Sequence, residues 1–429
     1  MKLRKIFLIF LSSGLLSSHA IAHDSDSAKT QIKSDNVKAS TSQYSADANT
    51  RVDTSAFNNG LEWSVSQVKF ELHGFMTAGM SKSSSESNYN QIGYGDINNS
   101  PNFITPTLAG LQLNTTFNDH ISIMTQIVVD GDISTGKTAY TPNINWLYIE
   151  YKFNPNVAVR VGRFQIPGYL DSQQVQVGYN FPYTYLPNEV YRILPMYSMN
   201  GVNLLLSHEI GDSNWSISAE PFFGNSNWKY NVVLQNLKFN VRLSKYTGGS
   251  ETKVADFTGN NLGGVNVSVQ NSFLKFNASY MQTSVSDNMN LVNDDMGRFY
   301  SLGVNYNQNN IWLSGEIAKR DLKSPIASLT GFYLSGGYQF GKFLPYINYA
   351  KIKTDNTNEL NAAITPNTEA EVIQDQQSYT VGLDYYVNTF MVLKGSYTYI
   401  VPQNNSYGLF DTKPSGNVSV VTLSTSLIF

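Results

Sequence analysis

The chain has no cysteine among its 429 residues, which excludes disulfide scaffolds, zinc–thiolate sites and thiol catalysis. It has little charge: 14% Asp, Glu, Lys and Arg, against about 25% in an average soluble domain. Histidine is scarce as well. Beyond the first segment only His23, His73, His120 and His208 occur, none at metal-ligand spacing from another. There is no HExxH, G-x-S-x-G, P-loop or dinucleotide fingerprint, so neither an enzyme nor a metal or cofactor site is expected. The 29 basic and 32 acidic residues give a net charge of −3 without a basic stripe, which excludes a nucleic-acid footprint. Long apolar runs are missing after the first 22 residues, so no helical membrane span is expected.

That first segment reads as a secretory signal peptide. Lys2, Arg4 and Lys5 are followed by an apolar stretch from Ile6 to Leu16, then by the small-residue site Ala20-Ile21-Ala22. The run is shorter than the ~20 residues of a spanning helix, which favours cleavage over a retained anchor. Removing residues 1–22 takes three basic residues and no acidic one, shifting the net charge from −3 to −6. Residues 23–67 are a Ser/Thr/Asp/Asn/Lys mixture with few apolar side chains before Phe57 and Trp63. They are expected to be a polar, flexible periplasmic extension.

What the chain does have is aromatic residues, uncharged polar residues and a period of two. It holds 27 tyrosines, 23 phenylalanines and 5 tryptophans in a composition only 41% hydrophobic. Length and composition alone suggest two or more soluble domains. From residue 68 onward, however, apolar and polar residues alternate over runs of about ten, the signature of a strand with two different faces. Phe70, Leu72, Met76 and Ala78 share one face, and Glu71, His73 and Thr77 the other. Val157, Val159 and Val161 alternate with Ala158, Arg160 and Gly162.

Seven short connections rich in Asn, Gly, Asp and Pro occur, such as 118–120, 154–156 and 308–310. They alternate with eight long ones, at 81–107, 131–143, 164–200, 224–261, 284–297, 321–330, 354–377 and 401–417. Sixteen antiparallel strands follow, with every short turn at one end, which is the asymmetry of a transmembrane barrel. Phe117, Phe153, Trp215, Tyr306, Phe340, Tyr385 and Phe429 fall at the short-turn ends. Tyr280, Tyr300, Phe332 and Tyr379 fall towards the other, as two interfacial girdles require. In hydrocarbon every backbone N–H and C=O must be paired, so such a sheet has to close, here strand 418–429 on strand 68–80. Sixteen strands are too many for side chains to fill, and a polar, water-facing lumen is expected.

Three stretches resemble the sixteen-stranded, trimeric porins of Gram-negative outer membranes. They are Phe70-Glu71-Leu72-His73-Gly74-Phe75-Met76-Thr77-Ala78-Gly79, the region Val161-Gly162-Arg163-Phe164-Gln165-Ile166-Pro167 continuing to Glu189-Val190-Tyr191, and the terminal Phe429 preceded by Leu427. The resemblance covers about residues 68–429, and the extension at 23–67 departs from the simpler members. It implies an all-β barrel with short periplasmic turns, long extracellular loops and a third loop folded into the lumen. It also implies a homotrimer in outer-membrane lipid and lipopolysaccharide, with Phe429 and Leu427 read by the barrel-assembly machinery. The function implied is passive diffusion of small hydrophilic solutes. In this reading the third loop contributes Asp171, Glu189 and Arg192 to a constriction. Arg160, Lys152, Glu71, Glu150, Lys275, Glu316 and Lys394 face it from the wall, where they set up a transverse field. A wall histidine is the plainer reading of His73 than a catalytic base. An exported β-rich glycan-binding or surface protein without channel activity stays open as the alternative.

Overall fold

The computed structural model describes residues 60–91, 95–131, 139–211, 214–233, 252–288, 292–322, 327–356 and 373–429. The expected signal peptide at 1–22 and most of the expected extension at 23–67 lie outside them. Sixteen strands alternate up and down along the chain. The first eight are β1 (Val68–Ser83), β2 (Leu108–Thr116), β3 (Ile121–Asp130), β4 (Asn143–Asn154), β5 (Val157–Gln165), β6 (Ser198–Glu209), β7 (Ser216–Val233) and β8 (Thr252–Gln270). They continue as β9 (Leu274–Asp287), β10 (Asp295–Gln308), β11 (Ile311–Asp321), β12 (Leu329–Tyr338), β13 (Phe343–Thr354), β14 (Gln376–Asn388), β15 (Met391–Pro402) and β16 (Val418–Ile428). Each pairs with the next, and β16 pairs with β1 from Val420↔Ser83 to Ile428↔Phe75, so the sheet has no free edge at the seam.

The short connections are tight because their residues accept the conformations needed. Asn309 and Asn310 between β10 and β11 have φ of 53° and 66°, the left-handed pair that matches the twist of a two-residue hairpin. The two faces of each strand separate as the alternation requires. Leu147, Ile149, Val161, Leu302, Leu334, Ile347 and Val381 point outward and are exposed. Aromatic pairs mark both rims of this apolar band. Tyr280 lies 5.3 Å from Tyr300, and Tyr349 sits between Phe332 (5.7 Å) and Tyr379 (5.1 Å) on the long-loop side. On the short-turn side Tyr338 lies 4.5 Å from Phe340, and Phe343 lies 4.9 Å from Tyr385.

The structure departs from the sequence reading in three places. Of the expected loop at 224–261, residues 224–233 and 252–261 are strand, with β7 and β8 paired from Ser226↔Gly259 to Val233↔Thr252, and 234–251 lie outside the described residues. Register shifts at Gly224/Ser226 and Asn260/Gly263 break the period of two there and hide the strands. Second, the end of the expected flexible extension is ordered. Leu61–Val65 pairs with β1 from Leu61↔Leu72 to Val65↔Val68. Because β16 stops at Phe429, which exchanges backbone hydrogen bonds with Gly74, this short strand continues the line of β16 and satisfies the otherwise open edge of β1. Third, the inner face is not uniformly polar. Trp312, Tyr333, Leu344, Tyr346, Ala350, Ile352, Ile400, Val418 and Val420 are all buried inside the barrel. They are needed because a polypeptide segment packs on them.

Candidate functional site

That segment is the third long connection, residues 166–197 between β5 and β6, which folds inward. Two short 3-10 turns, Ser172–Gln174 and Gly178–Asn180, and one helical turn, Asn188–Tyr191, supply its regular structure. Its apolar side chains Ile166, Tyr169, Val175, Phe181, Tyr183, Leu186, Val190, Tyr191 and Ile193 are buried in a common cluster with the wall. Full burial of side chains of this size stabilises by about 1.5–3 kcal/mol each, which offsets the entropy of ordering the loop. The rings interlock: Tyr169 lies 4.6 Å from Tyr191 and 5.1 Å from Phe299, and Tyr183 lies 5.5 Å from Trp312 and 5.6 Å from Tyr346.

The loop backbone is fastened by wall side chains. On β11 the Glu316 carboxylate accepts the Leu170 N–H at 2.9 Å, and on β9 Lys275 donates to the Leu170 carbonyl at 3.2 Å. Ser279 and Ser301 donate to the carbonyls of Pro167 and Gly168 at 2.8 and 2.6 Å. Across the barrel Lys394 on β15 donates to the carbonyls of Gly178, Phe181 and Tyr183. Arg320 reaches the Ile193 carbonyl at 2.9 Å, and Tyr183 donates to Ser335 at 2.5 Å. On β4, Asn145 donates to Gln176. Lys275, Glu316 and Lys394, expected on the pore wall, therefore act as fasteners of the loop.

The remaining expected site residues fall into separate groups. Arg160, Glu150 and Lys152 come together on β4 and β5. The Arg160 guanidinium donates from Nε to Glu150 at 2.8 Å, and Lys152 Nζ lies 3.6 Å from the other Glu150 oxygen. Arg160 also stacks over Tyr148, 4.9 Å from the ring centre, and its Nη1 lies 4.0 Å from Glu220 on β7. Glu71 stands apart on β1, 2.6 Å from Lys69 and accepting from Asn114 at 3.0 Å. Asp171 lies on the half-exposed edge of the loop with Gln173, Gln174, Gln176 and Asn180.

Glu189 and Arg192 sit on the helical turn and are 2% and 7% exposed, away from that edge. Gln376 donates to Glu189 at 2.7 Å, and Arg192 donates to the Leu409 carbonyl at 3.4 Å. Burial pushes the Glu189 carboxyl above its ordinary value, and the hydrogen bonds from Gln376 and Ser378 oppose this in part. Burial likewise raises the Tyr179 hydroxyl to about 12. Glu220, Asn203 and Tyr148 were missed in the sequence. Glu220 was legible, since Ser216, Ser218 and Glu220 alternate with Ile217 and Ala219 and so face inward. At the seam, the Phe429 ring lies over Gly74, where an added Cβ would come within 2.1 Å of it.

A closed sixteen-strand ring narrowed by an inward third loop decides the architecture. The fold is that of an outer-membrane porin. OmpF of Salmonella typhi, solved with daunomycin, superposes with a TM-score of 0.57 at 13% identity, covering 86% of this chain and all of its own. The anion-selective porin of Comamonas acidovorans gives 0.51 at 13%, covering 84% and 100%. OmpT of Vibrio cholerae, an outer-membrane protein also solved in trimer form, gives 0.51 at 10%, covering 85% and 100%. No protein-family model and no curated protein sequence matches the chain. The apolar outer band with its two aromatic rims fits the outer membrane of a Gram-negative cell, where such barrels reside.

Proposed function

We propose that this porin-type barrel is a passive, water-filled channel for small hydrophilic solutes and performs no enzymatic step. The observation that carries the reading is the asymmetric lumen. The loop is bonded to the wall mainly along β9–β12 and β14–β16, while the edge that carries Asp171, Gln173, Gln174 and Asn180 is half exposed. On β4, β5 and β7 the inner wall keeps partly exposed charged side chains at Lys152, Arg160 and Glu220. The constriction of this reading is formed by the loop edge and that arc, with Arg160, Lys152, Glu150 and Asp171 in it. Glu189 and Arg192 hold the loop instead.

The proposed assembly is a homotrimer, delivered through the terminal Phe429 by the barrel-assembly machinery. The outer face supports a protein contact on one sector. The long-loop aromatic row runs over β9–β15, from Tyr280 and Tyr300 to Tyr379 and Tyr399. Over β1–β6 the outward residues above the short-turn row are aliphatic, among them Met76, Leu111, Ile127, Leu147, Val161 and Val202. Aromatic rims mark contact with lipid headgroups, so a sector whose described strand residues carry no long-loop aromatic row suits a neighbouring protomer.

Planar-bilayer recording of the purified barrel, its folding checked by a shift in gel migration on boiling, tests the channel. Stepwise conductance increments are expected. A correctly folded barrel that inserts and passes no current would favour the alternative, a glycan-binding or surface barrel.

A further inference from the structure

We propose that Asn145, the extra residue of a bulge in β4, closes one corner of the constriction by holding Gln176 of the inward loop, and so limits passage by solute size. This rests on the channel reading above and names a residue that sets its specificity.

The pairing of β3 with β4 breaks at this point. Gln126 is opposite Trp146 and Ile127 is opposite Ile144, so Asn145 has no counterpart in β3. Nor does β5 supply one, since its ladder with β4 ends at Leu147↔Arg163. A bulge of this kind bends the strand and re-aims a side chain. A strict period of two, counted from Glu150 and Tyr148, would point Asn145 at lipid. Instead Ile144 and Leu147 are exposed on the outer face, while Asn145 is 6% exposed and Trp146 packs against the buried cluster inside the barrel. The bulge turns Asn145 inward.

What it meets there is the loop edge. The Asn145 amide donates to Gln176, and its own carbonyl oxygen accepts from Asn143 at 3.0 Å. The second bond leaves the N–H end of the amide for the loop.

The position of Gln176 gives this contact its consequence. At one end of the edge, Leu170 is fastened to Glu316 and Lys275. At the other, the tip is docked on β1–β3, with Val177 and Tyr179 buried among Phe75, Leu108 and Val128. Gly178 lies so close to the seam that an added Cβ would come within 2.6 Å of Thr77 Oγ1 and 2.9 Å of Ser426 Oγ. Residues 171–176 cross between these anchors, and the crossing ends at Gln176. Its bond to Asn145 shuts the gap between the edge and β4. The opening is thereby confined to the arc beyond, where Tyr148, Arg160 and Glu220 stand. Two amides bonded to each other act on a passing solute as a barrier, so the property they control is size.

Liposome swelling with the full-length protein tests this, with glucose and the trisaccharide raffinose as the two solutes. The wild type is expected to admit glucose well ahead of raffinose. Asn145→Ala and Gln176→Ala should each raise the raffinose-to-glucose rate ratio by about threefold or more, because either truncation opens the same corner. Gln176→Glu keeps the side-chain length and still accepts from Asn145, so it should exclude raffinose again. The chain has no cysteine, which allows a reversible version. The paired variant Asn145→Cys/Gln176→Cys should admit raffinose when reduced and exclude it once a short, reducible thiol cross-linker spans the two positions. That reversal occurs within one folded protein, which a mere disturbance of the wall would not produce. Wild-type protein that gives neither conductance steps nor glucose entry would sink the channel reading itself. Equal entry of both sugars into wild type, alanine variants that exclude raffinose as wild type does, a Gln176→Glu variant as leaky as Gln176→Ala, or a cross-linked protein that stays open would overturn the role of Asn145 alone.

Discussion

The ammonium of Lys394 is seated on the carbonyl of Tyr183 at 3.0 Å and also reaches the carbonyls of Gly178 and Phe181. One wall side chain therefore gathers three backbone acceptors of the inward loop, which no sheet ladder serves. Losing a charged donor here costs about 1–3 kcal/mol per carbonyl left buried and unpaired. Lys394→Met keeps the side-chain length and removes the charge. The barrel should still fold, because its strand ladders are untouched, but single-channel recordings should show larger and noisier steps. Step size and noise equal to wild type would mean that the apolar packing alone holds the loop.

Gly331 on β12 lies beneath the helical turn of the same loop, where an added Cβ would come within 2.0 Å of the Glu189 carbonyl oxygen. Backbone cannot give way as a flexible side chain does, so the loop must lift. Gly331→Val is expected to leave heat-modifiability intact while exposing residues 166–197 to protease and raising conductance. Resistance to cleavage equal to wild type would show that the loop accommodates the methyl groups in place.

Glu189 gives the docked loop a pH dependence. Its carboxyl binds a proton more tightly in the folded state than its free value of 4.5, because burial disfavours the charge. An acid raised on folding contributes stability that is fully present below its free pKa and is lost as pH rises through the folded value. Glu189→Gln, which cannot ionise and still accepts from Gln376, should match wild type near pH 4 and melt about 1–2 °C higher near pH 8. Melting curves in detergent at both pH values read this directly. A gap that is the same at both would rule out ionisation of Glu189 as its cause.

The legible part of the structure is the part governed by local periodicity. Val157, Val159 and Val161 around Arg160 told which way the guanidinium points, and Asn309-Asn310 announced a hairpin. The strands past Gly224 and before Leu262 were not legible, because Gly, Asn and Ser in the two register shifts carry no alternation. The partners of the loop were not legible either. Glu316 meets Leu170 from 146 residues away and Lys394 meets Tyr183 from 211, pairings that only ring closure brings about. For the same reason Glu189 and Arg192 look like pore charges in the sequence and lie against the wall in the structure.

The strand Leu61–Val65 was missed although its pattern is plain: Leu61, Trp63 and Val65 alternate with Glu62 and Ser64. Its place beneath Phe429 makes it part of the seam between β1 and β16. Trp63 stacks on Phe70, with ring centres 5.2 Å apart and planes 8° from parallel, and Lys69 ties Glu62 on the other face. An aromatic pair of this kind contributes about 0.5–1.5 kcal/mol beyond the area it covers. Without the strand, the N–H and C=O groups of β1 from Val68 to Leu72 lose their partners on one side. Trp63→Ala should lower the temperature at which the folded band converts to the unfolded one on gels. Deleting residues 60–66 should lower it further and increase aggregation on refolding, since an unpaired edge recruits other chains. A deletion variant with wild-type conversion temperature and refolding yield would show that the seam closes on β16 alone and that this strand is an appendage.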